Sequence, residues 1–126
     1  MAEGNQKKIV FVIEDDMFLV NAYQIKFEKE GFGVWVASDG KEALGFLEKD
    51  PPGVVLLDLL LPSVSGFEIL AAIRKSEKWK NVPVFVLTNL GQVQDMERVR
   101  ALGVEDYLVK ANTKISDIVE KVKKRL

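Results

Sequence analysis

The chain has 126 residues, 48% hydrophobic and 29% charged, with a formal net charge of -1. That balance suits one globular domain rather than a disordered segment, and it creates no global attraction to nucleic acid or an anionic membrane. Cysteine and histidine are both absent, which excludes disulfides, thiolate chemistry, the usual zinc ligands and a phosphohistidine formed within this chain. The polar start, residues 1–8, has no signal-peptide core, and no apolar stretch approaches membrane-spanning length. The expected location is the cytoplasm, with no membrane partner.

Strand-like and helix-like segments alternate from residue 8 onward. The run Ile9-Val10-Phe11-Val12-Ile13 predicts a first strand over 8–13, leading into Glu14-Asp15-Asp16. A helix follows over 17–30. Phe18, Ala22 and Ile25 form one apolar stripe, beside Leu19, Tyr23 and Phe27. Gly31 ends that helix by accepting a left-handed conformation. Residues 33–37 read as a short second strand, placed at the sheet edge. Asp39 then caps a second helix, with Glu42 as capping-box partner, running to about Lys49 with Ala43, Leu44 and Leu47. The break Asp50-Pro51-Pro52-Gly53 precedes a third strand, 54–57, which ends at Asp58.

A loop over 59–66 leads to a third helix, 67–75, with Phe67, Leu70, Ala71 and Arg74 at helical spacing. A fourth strand over 82–87 ends in Thr88. The fourth helix, 93–102, has the weakest apolar pattern, and Gly103 ends it. A fifth strand over 104–109 leads into Lys110. Thr113 is placed to cap the last helix, where Ile115, Ile118, Val119 and Val122 make the clearest amphipathic stripe.

Continuous apolar runs read as strands buried on both faces, hence a parallel sheet. Five strands alternating with five helices specify an α/β layer fold with right-handed crossovers. The four strongly apolar strands are expected in the middle of the sheet. Parallel strands share one carboxyl edge, where open α/β sheets bind their ligands. Asp15, Asp16, Asp58, Thr88 and Lys110 all fall there. Clustered carboxylates need a cation, and an all-oxygen set with no soft ligand favours Mg2+. Asp58 can attack phosphorus to form an acyl phosphate, with the Lys110 ammonium and the Thr88 hydroxyl addressing its oxygens. Taken singly, Asp15 or Asp16 is as readily a helix N-cap, Asp58 a turn residue, and Lys110 a solvated charge. Coincidence of the whole set is what separates the two readings.

The runs Glu14-Asp15-Asp16, Leu56-Leu57-Asp58-Leu59-Leu60-Leu61-Pro62-Ser63-Val64-Ser65-Gly66, Leu87-Thr88 and Asp106-Tyr107-Leu108-Val109-Lys110 occur in this order. On these motifs the chain resembles the receiver domain of two-component response regulators, similar in size to the single-domain chemotaxis type. The resemblance covers about residue 8 to the end, one domain over 1–126. It implies a doubly wound, flavodoxin-like fold with strand order 2-1-3-4-5. It further implies that Asp58 accepts phosphate, and that Asp15, Asp16 and the backbone carbonyl of Leu60 position Mg2+ together with Asp58. Thr88 and Lys110 would bind the phosphoryl group, and Tyr107 would turn inward when Thr88 moves toward phosphate. The implied partners are a histidine kinase or phosphotransfer protein as donor and a downstream protein target. The chain shows no output domain; if complete, it is expected to act by binding other proteins, without direct contact to nucleic acid and without being an enzyme, the alternative being a receiver cut from a longer regulator or hybrid kinase.

Two positions depart from the family pattern. Lys110 is usually followed by proline through a cis peptide, but here Ala111 follows, which predicts a trans bond and a different loop. The residue after Thr88 is usually small, but here it is Asn89, which narrows access to Asp58. Apolar Leu60 and Leu90 cannot orient an attacking water, so slow loss of the phosphoryl group is expected. Leu60 also argues against a haloacid-dehalogenase-type phosphohydrolase, which needs a second acid there. The acidic first turn argues against a flavin-binding module, and the intact cluster argues against a vestigial one.

Overall fold

The computed structural model of the chain describes residues 8–89 and 93–126. Its elements are β1 (Ile9–Ile13), α1 (Met17–Lys29), β2 (Gly33–Ala37), α2 (Gly40–Gly45), β3 (Val54–Leu57), α3 (Gly66–Lys75), β4 (Val84–Thr88), α4 (Val93–Leu102), β5 (Asp106–Val109) and α5 (Ile115–Arg125). The strands pair in parallel in the order β2-β1-β3-β4-β5, as expected.

Successive strand residues point to opposite faces, and each face carries its own core. Phe11, Ile13, Val55, Leu57, Val84 and Val86 share a cluster with Ala43 of α2, Ile69, Leu70 and Ile73 of α3, and Val99 of α4. Val10, Val12, Val54, Leu56, Phe85 and Leu87 share the other with α1 and α5. The central strands are thus buried on both sides, which is why they read as unbroken apolar runs. Strand β5 is not central as expected. It closes the sheet opposite β2, and the outer positions of its four residues are only partly buried.

Helix α1 corrects the expected stripe. Val20, Tyr23 and Phe27 are buried, whereas Phe18 is 80% exposed and Ile25 57%. Two overlapping stripes satisfy the helical period, and only packing against the sheet selects one. Helix α2 is shorter than expected, because a 3-10 turn at Phe46–Glu48 replaces its end. Its N-cap forms as read, with Asp39 accepting from the Glu42 amide, while the Glu42 side chain reaches one residue further back than a capping box requires and accepts from the Ser38 amide. Thr113 does not cap α5. Its hydroxyl donates to the Val109 carbonyl at 3.0 Å, because a 3-10 turn at Lys110–Asn112 delays the helix start to Ile115. Burial of Ile118, Val119 and Val122, worth about 2 kcal/mol each, outweighs the roughly 1 kcal/mol of the missing cap. The expected trans bond after Lys110 is present, since the described residues contain no cis peptide. No helix among them is long and apolar enough to cross a membrane.

Two glycines serve geometry. Gly31 adopts φ +90° after α1. Gly66 packs so closely beneath the β3 end that a Cβ would lie 2.4 Å from the Asp58 carbonyl oxygen.

Candidate functional site

The order β2-β1-β3 makes the chain leave β1 to one side and return on the other. The crevice between the carboxyl ends of β1 and β3 is the topological switch point. The backbone brings the two ends together by an Asp58 N–H donating to the Ile13 carbonyl at 3.0 Å, one residue short of Glu14. Carboxylate oxygens of Glu14, Asp15 and Asp58 lie within 4.8 Å of one another. Glu14 and Asp58 are buried, 3% and 5% exposed, and Asp15 is exposed.

Lys110, just beyond β5, supplies the counter-charge. Its Nζ lies 2.6 Å from Glu14 Oε1 and 2.6 Å from Asp58 Oδ2. The other Asp58 oxygen accepts the Leu60 amide at 3.0 Å. Burial pulls the Lys110 ammonium toward neutrality, but its hydrogen bonds to Asp58 and Glu14 outweigh that and raise its pKa. Burial pushes the Glu14 carboxyl up to about 7, opposed by its hydrogen bond to Lys110 and assisted by the charge on Asp58. Beneath the cluster, Tyr23 is 1% exposed, and burial followed by the charges of Glu14, Asp58 and Asp16 raises its hydroxyl well above the usual phenol range.

Asp16 stands apart from this group. Its carboxylate accepts the amides of Phe18 at 3.0 Å and Leu19 at 3.4 Å, as the N-cap of α1. The acids that face the crevice are Glu14 and Asp15, one step earlier than the pair chosen from sequence. The missed signal was Asp16 standing directly before the first helical residue, where a cap belongs. Glu14 is oriented by its neighbour, because its Oε2 accepts the Asp16 amide at 3.2 Å.

Thr88 ends β4 fully buried, in register with Val109, the residue before Lys110. Tyr107 is 7% exposed and sits in the cluster of Val86 and Val99. Burial, then the charges of Asp95 and Asp58, raises its pKa. Asn89 does not simply stand over Asp58. Its side-chain oxygen accepts the Ala111 amide at 3.2 Å. Leu60 is 52% exposed, and Leu90 lies outside the described residues.

A buried carboxylate flanked by an ammonium and two further acids can hold a hard divalent cation and receive a phosphoryl group. Known proteins resemble this chain in sequence and in fold. A DNA-binding dual master transcriptional regulator, RpaA of Synechocystis, is 35% identical over 101 residues, which are 80% of this chain and 42% of that protein. The Francisella response regulator 1452 receiver domain superposes with a TM-score of 0.84 at 29% identity, covering 94% of this chain and 96% of that one. The phosphorylated cyanobacterial phytochrome response regulator RcpA gives a TM-score of 0.81 at 28% identity, covering 94% of this chain and 91% of that one.

These relatives correct one expectation. Absence of nucleic-acid contact was read from a near-neutral charge, yet RpaA is described as DNA-binding. The charge of a segment spanning 42% of such a regulator says nothing about the surface carried by the rest. The model of the response regulator receiver domain matches residues 10–123, and with both termini alone outside that match, this chain belongs to the response regulator receiver domains of two-component signalling.

Proposed function

We propose that Asp58 is the phosphoacceptor of this switch and that the crevice carries out the transfer itself. The observation that supports this most directly is the pairing of buried Asp58 with Lys110 at 2.6 Å beside two more acids. An Asp58 oxygen attacks the phosphorus of a phosphohistidine or small acyl phosphate. The new P–O bond forms as the bond to the leaving group breaks, and the leaving group departs with its electron pair. Lys110 then exchanges its Asp58 contact for a phosphoryl oxygen, and the Thr88 hydroxyl addresses a second one.

The carboxylates of Glu14, Asp15 and Asp58 are the oxygen donors suited to Mg2+, with the Leu60 carbonyl added by the resemblance. Bound there, Mg2+ supplies charge neutralisation for the incoming phosphoryl group. Asp16 has no part in this set, being engaged by α1. Thr88 and Tyr107 form the switch pair, and the face of α4, β5 and α5 carries the output as a population shift. Residues 8–126 act as one receiver unit, in the cytoplasmic setting expected from the sequence.

Incubation with Mg2+ and acetyl phosphate tests this by intact-protein mass spectrometry. Wild type gains one phosphoryl group, and neither Asp58→Ala nor chelated wild type gains any. Labelling that survives in Asp58→Ala defeats the proposal.

A further inference from the structure

The Lys110–Asn112 turn begins without a side-chain cap of its own. The first amides of any helical turn have no partner inside it. One of them, Ala111 N–H, is taken by Asn89 Oδ1 at 3.2 Å. Asn89 directly follows Thr88, and Ala111 directly follows Lys110. The β4–β5 ladder ends at Thr88 opposite Val109. The Asn89 side chain therefore continues that ladder one step beyond the strands, at the point where the buried hydroxyl and the ammonium leave the sheet. The bond exists only because residue 111 has an amide hydrogen, which proline lacks.

We infer that Asn89 is a positioning residue, whose bond to Ala111 ties the Lys110 loop to the end of β4 and so fixes the ammonium relative to Thr88 and Asp58. This rests on the proposed roles of those three residues. Lys110 needs such an anchor. Its Nζ must leave one carboxylate contact for a phosphoryl oxygen, and a loop free to drift would spread that ammonium over many positions. Without the anchor, the loop is held by its strand, by the Lys110 side chain and by the Thr113 hydroxyl on the Val109 carbonyl, none of which ties it to β4.

The alternative is that Asn89 acts by bulk, as a lid over Asp58. Four variants separate the two: Asn89→Ala, Asn89→Leu, Ala111→Pro and the double variant Asn89→Ala/Ala111→Pro. Leucine keeps the bulk and loses the acceptor. The readouts are the phosphorylation rate with acetyl phosphate, hydrogen exchange of the Ala111 amide, and circular dichroism to select temperatures at which every variant is folded. Positioning predicts that Asn89→Ala and Asn89→Leu slow phosphorylation alike, by about threefold to tenfold, the scale of one hydrogen bond. It also predicts faster exchange at Ala111 and no further loss on adding Asn89→Ala to Ala111→Pro. Should Ala111→Pro fail to fold, the alanine and leucine rates with the exchange data decide alone. Faster labelling of Asn89→Ala with unchanged Asn89→Leu overturns the inference in favour of a lid. Unchanged rates in all variants overturn it while leaving Asp58 as acceptor. Wild type that fails to label Asp58 removes the underlying reading as well.

Discussion

In the metal-free protein, Glu14→Gln is expected to raise stability near pH 8 and to lower it slightly near pH 5. Burial moves the Glu14 carboxyl from an ordinary 4.5 to about 7, despite Lys110. Between these values the folded protein holds a proton that the unfolded chain has lost. A carboxyl raised in this way contributes stability that is complete below about 4.5 and is lost as pH rises through about 7. Above that range both states are ionised, and the buried charge costs on the order of 3 kcal/mol relative to the protonated form. Glutamine keeps the shape and an oxygen for Lys110 and brings no charge to desolvate, at the loss of the acceptor for the Asp16 amide, a bond worth about 1 kcal/mol. The net relief raises the melting temperature by several degrees for a domain of this length. The assay is thermal denaturation of both proteins across this pH range, in chelator and in excess Mg2+. With Mg2+, wild type gains by mass action and the variant gains less, so the gap narrows. A variant no more stable than wild type near pH 8, or a difference independent of pH, refutes the reasoning.

Three further outcomes follow from the same geometry. Asp16→Ala should lose about 1 kcal/mol in urea denaturation through the α1 cap while keeping Mg2+ affinity, whereas Asp15→Ala should lose the affinity with little change in stability; titration calorimetry distinguishes them, and equal loss of Mg2+ binding would restore Asp16 as a ligand. Gly66→Ala forces a methyl to 2.4 Å from the Asp58 carbonyl and should destabilise by about 1–3 kcal/mol while slowing phosphorylation, because backbone must shift at the acceptor itself. Leu60→Asn should shorten the lifetime of the phosphoryl group, since an exposed amide at that position can orient water and leucine cannot. An unchanged decay rate counts against that role.

Much of the site was legible because strand ends are legible. Asp58, Thr88 and Lys110 each follow an apolar run, and a parallel sheet carries all such ends to one edge. Their separation in sequence, 52 residues between Asp58 and Lys110, is no obstacle once the strand order is known. The consecutive acids were harder. Three in a row offer two overlapping pairs, and the choice depends on where β1 stops and α1 starts, a difference of one residue. The exposed Phe18 and Ile25 illustrate the same limit on a helix. Periodicity defines candidate faces, and the sheet selects one.

The pair Asn89 and Ala111 was visible only as two unrelated departures from a pattern. Local chemistry along the chain, namely runs, caps, turns and charges, already pointed to a parallel α/β fold with carboxylates gathered at its strand ends, and the order of the motifs added the resemblance to receiver domains. Only the tertiary structure decided that Glu14 rather than Asp16 faces Asp58, that Val20, Tyr23 and Phe27 make the buried face of α1, and that Asn89 meets Ala111. Each of these turns on distances between segments far apart in sequence, or on a one-residue choice at an element boundary. Such distances are set by packing, which acts on whole elements and not on neighbouring residues.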